Sequence, residues 1–488
     1  MSTLRPTVAP TPTPSAAPPR RRLNQAIVSG PLDQVDQLAR AVTPMPGYTV
    51  EPLALYQSGR GEVKAVKVLY QPATTEPPDC TDQLNRTLLN TAIRNNLTAI
   101  RTEPNCTTST RPAWQGHPYS WEGNPYSWEG NPFTGDGGAY AWEGNPYAQP
   151  QPQAAAKVAH VVPAGASVAA AQALFAAQDA FARIQVAENG KRIAALGEKL
   201  GQGVRVAIFD TCPSAQGLGA LPAGPLPWLH PHWNAPLLPA GEFSDHGLFI
   251  ASLINFVAPS ADIHLYQVLG GDVFGDTATL VKAMGDFLND TATSPAVISL
   301  SLGSMCCDGG AMPAVEGLIW EAQRRGMVIC AASGNNGRRA MKAATIPPAQ
   351  MPAALRNVIA VAAANRQDIR ASYSHRGDIA APGGETAGAA GPNGFDDIIG
   401  LGTVSPSGYI RMDCGTSFAT PLVAGAAALV LADLVGRGAS LDSGMWRRVY
   451  DRLALGAVPP AGEPDTLNTT GLGAGVIRIG GRNSIYGC

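Results

Sequence analysis

The chain has 488 residues, 45% hydrophobic and 15% charged, which is enough for more than one domain and a sizeable core. Its net charge of −2 argues against a nucleic-acid or membrane-surface partner held by charge, and no run of about 18 apolar residues predicts a transmembrane helix. The 54 Gly and 42 Pro, about a fifth of the chain with many in its first third, predict a Pro/Gly-rich N-terminal extension ahead of a compact domain.

Residues 1–22 alternate Pro with Thr, Ala and Ser and end in Arg20-Arg21-Arg22. A secretory leader places its charge first and an apolar stretch second, so this order predicts a disordered Pro-rich tail and a cytoplasmic location. Residues 23–110 read as a small α/β domain. Positions 62–70 contain an alternating strand pattern, and Leu84, Leu88, Ala92 and Leu97 fall near helical spacing between Thr81 and Ile100. Cys80 and Cys106 bracket that helix and could pair in an oxidising compartment. The eight cysteines show no metal-ligand spacing, and most read as small buried residues.

Within residues 111–156, Ser120-Trp121-Glu122-Gly123-Asn124-Pro125 recurs at 127–132 and, with Ala141 first, at 141–146. Gly and Pro in every copy exclude a heptad. The stretch reads as a linker; its aromatic repeat, residues 118–147, could alternatively serve as a partner-binding ligand. A helix is predicted over about 168–186, with Leu174, Phe175, Phe181 and Ile184 on an apolar face.

Residues 157–488 form the compact domain. The run 204–210 reads as a buried parallel strand with Asp210 at its C-terminal end, the edge where sites assemble in open α/β sheets. His246-Gly247 opens an apolar helix, whereas His264 lies inside the strand-like run 263–268 and is the poorer candidate base. Positions 297–303 form an apolar strand ending in Ser301-Leu302-Gly303. A second apolar run, from 327, ends in Ser333-Gly334-Asn335-Asn336-Gly337. Last comes Gly415-Thr416-Ser417-Phe418-Ala419-Thr420-Pro421-Leu422-Val423-Ala424-Gly425 and a small, apolar, helix-forming run. Ser417 therefore lies at a helix N-terminus, where unpaired N–H groups and the positive end of the dipole face a developing anion. A serine there can cap the helix or, with a base to take its proton, act as a nucleophile.

The Gly-Thr-Ser-x-Ala-Thr-Pro-x-Val-Ala-Gly string resembles the serine motif of the subtilisin-like serine proteases. Asp210-Thr211 resembles the family's aspartate motif, with Cys212 where Gly is usual. His246-Gly247 resembles its histidine motif, with Ile250 and Ser252 as departures. Ser374 and Ala381-Pro382-Gly383 resemble a further recurrent segment, and the likeness spans about residues 201–480. The chain order Asp, His, Ser is that of subtilisin, distinct from chymotrypsin and the α/β-hydrolases.

The resemblance implies an α/β fold, subtilisin-like, with a mainly parallel sheet and helices on both faces. It implies a serine endopeptidase acting on protein or peptide substrates through Asp210, His246 and Ser417. Asn335 would donate to the oxyanion, with Asn336 the alternative register, and Ser301, Leu302 and Gly303 would bind substrate as an added strand. The chemistry needs no metal. Family members often bind calcium, but no ligand cluster of usable spacing stands in this sequence, so no cofactor is expected and structural calcium stays open. Asp308 lies near the expected specificity pocket, with its register open. A strand and helix ahead of such a domain invite a prodomain reading for 23–110; the lack of a leader favours a plain appendage. A filled triad argues against a peptide-binding pseudo-protease, and a scaffold acting through the aromatic repeat is the remaining rival.

Overall fold

The front region folds as β1 (Arg21–Pro31), α1 (Leu32–Val42), β2 (Tyr48–Ser58), β3 (Gly61–Tyr70), α2 (Thr81–Arg94) and β4 (Arg101–Ser109). The computed structural model describes residues 21–71, 80–109, 167–188, 191–192, 199–221, 224–233, 244–290, 295–304, 312–337, 346–385, 397–403, 410–459 and 470–480. These belong to one unit, residues 20–112 and 155–488. The tail before residue 21, the Trp-Glu-Gly-Asn-Pro repeats and the Cys306-Cys307-Asp308 stretch lie outside the described residues.

The four front strands pair antiparallel in the order β4-β1-β3-β2. Side chains alternate between the two faces of such a sheet. Ala26, Val28, Val66 and Val68 share a core with Val35 and Leu38 of α1 and Leu84, Leu88 and Ala92 of α2. Leu97 joins that core from beyond the end of the helix.

Next come α3 (Val168–Ala176), α4 (Asp179–Arg183) and the short pair β5 (Ala187–Glu188) and β6 (Lys191–Arg192). The single helix expected over 168–186 is thus broken. Gln178 is extended, with φ −61° and ψ 142°. Its side-chain amide donates to the Ile399 carbonyl at 2.9 Å and its oxygen accepts from the Ile399 N–H at 3.1 Å, replacing helical bonds with a rung to a neighbouring strand. Phe181 and Ile184 are buried as their spacing predicts, and Phe181 stacks on Phe256 with ring centroids 3.9 Å apart.

The rest of the chain runs β7 (Arg205–Asp210), α5 (Ala215–Gly219), β8 (Leu229–His232), α6 (His246–Val257), β9 (Asp262–Gln267), β10 (Phe274–Asp276), α7 (Thr277–Asp290), β11 (Ala296–Leu300), β12 (Gly303–Ser304) and α8 (Pro313–Arg324). It continues through β13 (Val328–Ala332), β14 (Ile359–Ala364), β15 (Ile379–Pro382), β16 (Ile398–Leu401), β17 (Ile410–Asp413), α9 (Thr416–Gly436) and α10 (Met445–Gly456). Seven parallel strands form one sheet in the order β15-β14-β13-β11-β7-β9-β8. A parallel sheet covered on both faces needs continuous apolar strands, and β11, β13 and β14 are buried throughout. Val206, Ile208, Val328 and Val361 pack with α6, α9 and α10 on one face, while Ala207, Phe209, Ile298 and Ile329 pack with α7 and α8 on the other.

Ile27, Ala54, Tyr56 and Ala65 belong to the α7–α8 core. These two helices therefore lie between the seven-stranded sheet and the front sheet. Among the described residues α9 alone is long and apolar enough to cross a membrane, yet 83% of that window is buried inside the protein. A helix apolar all round is what a core position demands.

Candidate active site

Asp210 ends β7 at the C-terminal edge of the parallel sheet. Its Oδ1 accepts from the Thr211 N–H and from His246 Nδ1, each at 2.7 Å, so the imidazole proton sits on Nδ1. Asp210 Oδ2 is buried without a hydrogen-bond partner among the described residues. His246 opens α6, and the Gly247 N–H donates to Thr211 Oγ1 at 2.9 Å. A Cβ at position 247 would stand 2.0 Å from the Thr211 carbonyl oxygen, so only glycine lets α6 approach β7 this closely. Just before the histidine, fully buried Asp245 accepts from Arg411 Nη1 of β17 at 2.9 Å.

The departures from the family pattern are absorbed by packing. Cys212 is buried, and burial, helped by the Asp210 charge, pushes its thiol up to about 12, so it stays a neutral, inert side chain. Ser252 Oγ donates to the Phe249 carbonyl at 2.7 Å and accepts from the Leu401 N–H at 3.1 Å, tying α6 to β16. Ile250 is fully buried.

Ser417 is the second residue of α9. Pro421 lies inside this helix and lacks the N–H that would bond the Ser417 carbonyl four residues back. Ser301 Oγ takes over that role, donating to the Ser417 oxygen at 2.8 Å, while Ser417 Oγ donates to the Ser301 carbonyl at 3.2 Å. Leu302 is buried in the α7–α8 core, and Gly303 begins β12. Of the three residues expected to bind substrate, one thus braces the Ser417 turn, one packs the core and one joins a ladder. Phe418 bridges the elements, with ring centroids 5.3 Å from His246 and 4.4 Å from Phe249.

Asn335 follows β13, and its Oδ1 accepts from the Thr416 N–H at 2.8 Å and from Thr416 Oγ1 at 2.7 Å. That fixes which end of the amide is the donor and leaves Nδ2 beside Gly415, 3.4 Å from where a Cβ there would be. Asn336 instead meets His375, and Gln350 at 3.2 Å. Gly334 adopts φ +124°, and a Cβ there would stand 2.9 Å from His375 Nδ1. Burial pushes His375 down to about 4. Ser374 Oγ accepts from the Ala363 N–H at 2.9 Å, securing that segment to β14.

The end of β4 lies between β10 and β12. Ser109 pairs antiparallel with Phe274 on one side and Gly303 on the other; Thr108 pairs with Gly275 and Ser304. Upstream, Glu103 Oε1 accepts from the Ala314 N–H near the start of α8, and Asn105 Oδ1 accepts from the Ala278 N–H near the start of α7, both at 3.0 Å. Burial pushes the Glu103 carboxyl up to about 8; the Ala314 N–H opposes this and Glu316 adds to it. Sequence reasoning missed Glu103, Asn105, Gly275, Ser304, Thr416 and Arg411. Only Thr416 stood inside a motif that could have signalled it. Cys80 is a free thiol and Cys106 is disulfide-bonded, so these two cysteines do not pair with each other.

Among the described residues, one group of three metal-capable side chains occurs, His230, Asp262 and His264. Two imidazoles do not suit calcium, which takes oxygen ligands.

The model of the subtilase family, Peptidase_S8, matches residues 231–473, a span that begins after Asp210. Subtilisin BL of Lederbergia lenta is 32% identical over 247 residues, covering 47% of this chain and 77% of that protein. An extracellular serine proteinase of Thermus sp. (strain Rt41A) is 32% identical over 205 residues, covering 40% of this chain and 44% of that protein. Among solved structures, a lanthipeptide protease aligns with a TM-score of 0.45 and 22% identity, over 65% of this chain and 95% of its own.

Proposed function

The chain belongs to the subtilase family of serine endopeptidases, and from that premise we propose that Ser417 is its nucleophile, His246 its general base and Asp210 the group that orients the base. One observation carries the assignment: the buried 2.7 Å bond from His246 Nδ1 to Asp210 Oδ1, which leaves Nε2 to exchange protons. Ser417 Oγ attacks the scissile carbonyl as His246 Nε2 takes its proton. The imidazolium, stabilised by Asp210, then protonates the leaving amine. Water repeats the sequence on the acyl-enzyme.

Charge develops on the carbonyl oxygen in both tetrahedral states. Asn335 Nδ2 and the Ser417 N–H serve it, and Thr416 holds the Asn335 amide the right way round before the reaction begins. Such prearranged donors act on the transition state more than on the bound substrate. The substrate enters as an extended strand between β10 and β12, pairing through Gly303.

Residues 21–109 occupy that same groove with the end of β4, which supports a prodomain over an appendage. Glu103 and Asn105 cap two helices of the catalytic half, so the unit both blocks the groove and fastens to the helices beside it.

A fluorophosphonate probe tests the core of the proposal, because it bonds covalently to an activated serine oxygen. The purified active chain should carry the label on Ser417, and Ser417→Ala should neither label nor cleave an unfolded protein. Turnover retained by Ser417→Ala, or label on another residue, overturns the assignment.

A further inference from the structure

The edge of the main sheet carries a second ladder of chemistry. In β8 and β9 the parallel register sets His230 beside His264 and His232 beside Tyr266. Arg205 of β7 sits beside Asp262. Residues two apart on a strand share a face, so His230, His232, Asp262, His264 and Arg205 project together. That is the face on which Tyr266, Ala207 and Phe209 meet α7. The spacing His-x-His on one strand and Asp-x-His on the next carries no meaning until that register is known.

We propose that His230, Asp262 and His264 bind a divalent transition-metal ion of the zinc type, which clamps edge strand β8 to β9. The three candidate ligand atoms all lie within 4.8 Å of one another. His230 Nε2 is 3.3 Å from Asp262 Oδ1, and His264 Nε2 is 3.0 Å from Asp262 Oδ2. Tetrahedral zinc with bonds of about 2.0–2.1 Å holds its ligands about 3.3 Å apart, so only small shifts close the site. Two imidazoles and one carboxylate suit zinc or its neighbours and not calcium or magnesium.

The surroundings are arranged as an outer shell should be. His264 Nδ1 lies 2.7 Å from His232 Nε2, so with the metal on Nε2 the Nδ1 proton donates to His232 and orients the ring. His232 itself is stacked on Tyr266 with centroids 4.2 Å apart. Arg205 Nε donates to Asp262 Oδ2 at 3.0 Å, which orients the carboxylate between the two imidazoles, Oδ1 toward His230 and Oδ2 toward His264. Arg205 also pairs with Asp290, so one positive charge meets two carboxylates and the group stays net negative while its imidazoles are neutral. The His230 and Asp262 side chains are 51% and 42% exposed, which gives the ion an entry path and water a fourth position.

Asp262 neighbours the first residue of β7 and Asp210 is the last, five residues on. That is about 16 Å along the strand, too far for the ion to touch the reaction, so its role is structural.

The test uses the untagged full chain carrying Ser417→Ala to prevent self-digestion, stripped with a chelator. Calorimetry should show zinc binding, with a raised Tm and, for cobalt, the visible bands of a four-coordinate nitrogen–oxygen site. His230→Ala, on an exposed side chain, should lose the cobalt bands and the Tm increase while keeping the metal-free Tm. His232→Ala should weaken binding by about 10–100-fold. Zinc uptake and Tm shift undiminished in His230→Ala, or no uptake by the unaltered ladder, overturn the proposal.

Discussion

The front unit and the catalytic half meet the same groove by different means. Glu103 and Asn105 bond backbone N–H groups of α8 and α7, and Thr108 and Ser109 pair through the main chain. Many residue types could do this. Asp210, His246, Asn335 and Thr416 bond through particular side-chain atoms. A backbone grip tolerates almost any sequence that keeps strand and caps; a proton relay does not. Substitutions should therefore split into two groups, those that stop chemistry and leave docking intact, and those that loosen docking and leave chemistry intact.

The largest effect is expected at Ser417. Ser417→Ala should lower kcat by about 10⁶-fold, the order found when a subtilisin loses its nucleophile, while residues 21–109 stay docked. Native gel mobility and limited proteolysis report the docking. Release of the front unit in Ser417→Ala would erase the contrast.

Asn335→Ala should lower kcat by about 10²–10³-fold with KM little changed, an expectation taken from a subtilisin's own oxyanion asparagine. Asn336→Ala should leave kcat near its starting value, because that side chain is joined to His375 and Gln350 and not to the Ser417 turn. Steady-state kinetics on one peptide decides between the two registers, and the reverse result would move the oxyanion donor to Asn336.

The elements that carry the proposed site were legible because their motifs fix residue types at fixed places. A carboxylate ends a buried strand, His-Gly opens an apolar helix, and Ser stands at the start of the next. The front unit showed one strand and one helix but not its purpose, since no motif encodes a strand that pairs through its backbone. Its docking also depends on register with Gly275 and Ser304, far away in sequence. The break at Gln178 was hidden for a similar reason: the periodicity through Phe181 and Ile184 holds, and only the distant Ile399 explains the interruption.

Docking should respond to pH through Glu103. Its carboxyl rises from the ordinary value near 4.5 to about 8 when buried against α8. A group whose value is raised in the bound state stabilises that state fully below its free value and loses the contribution as pH rises through the bound value. On the proposed prodomain reading, inhibition by residues 21–109 should thus weaken between pH 4.5 and about 8, by at most about tenfold per pH unit. Glu103→Gln should flatten this dependence without changing the kcat of the released enzyme. Inhibition constants measured across that range check it, and an equally steep profile in Glu103→Gln would assign the effect elsewhere.

The smallest effect separates bracing from substrate contact at Ser301. Pro421 denies the Ser417 carbonyl its helical donor, and Ser301 Oγ supplies one at 2.8 Å. Ser301→Ala should remove this side-chain bond to a buried oxygen, at a cost of about 1 kcal/mol in stability. It should lower kcat by about tenfold, because the turn bearing the proposed nucleophile loses a fixed point. Pro421→Ala restores an N–H four residues beyond Ser417. Added to Ser301→Ala, it should recover most of the lost stability, so the two changes together cost less than their sum. A substrate-contact role for the Ser301 hydroxyl predicts instead a raised KM and no rescue by Pro421→Ala. Unfolding and kinetics on the two single variants and the double variant tell these apart. Strict additivity would mean that the proline and the serine do not share the Ser417 carbonyl.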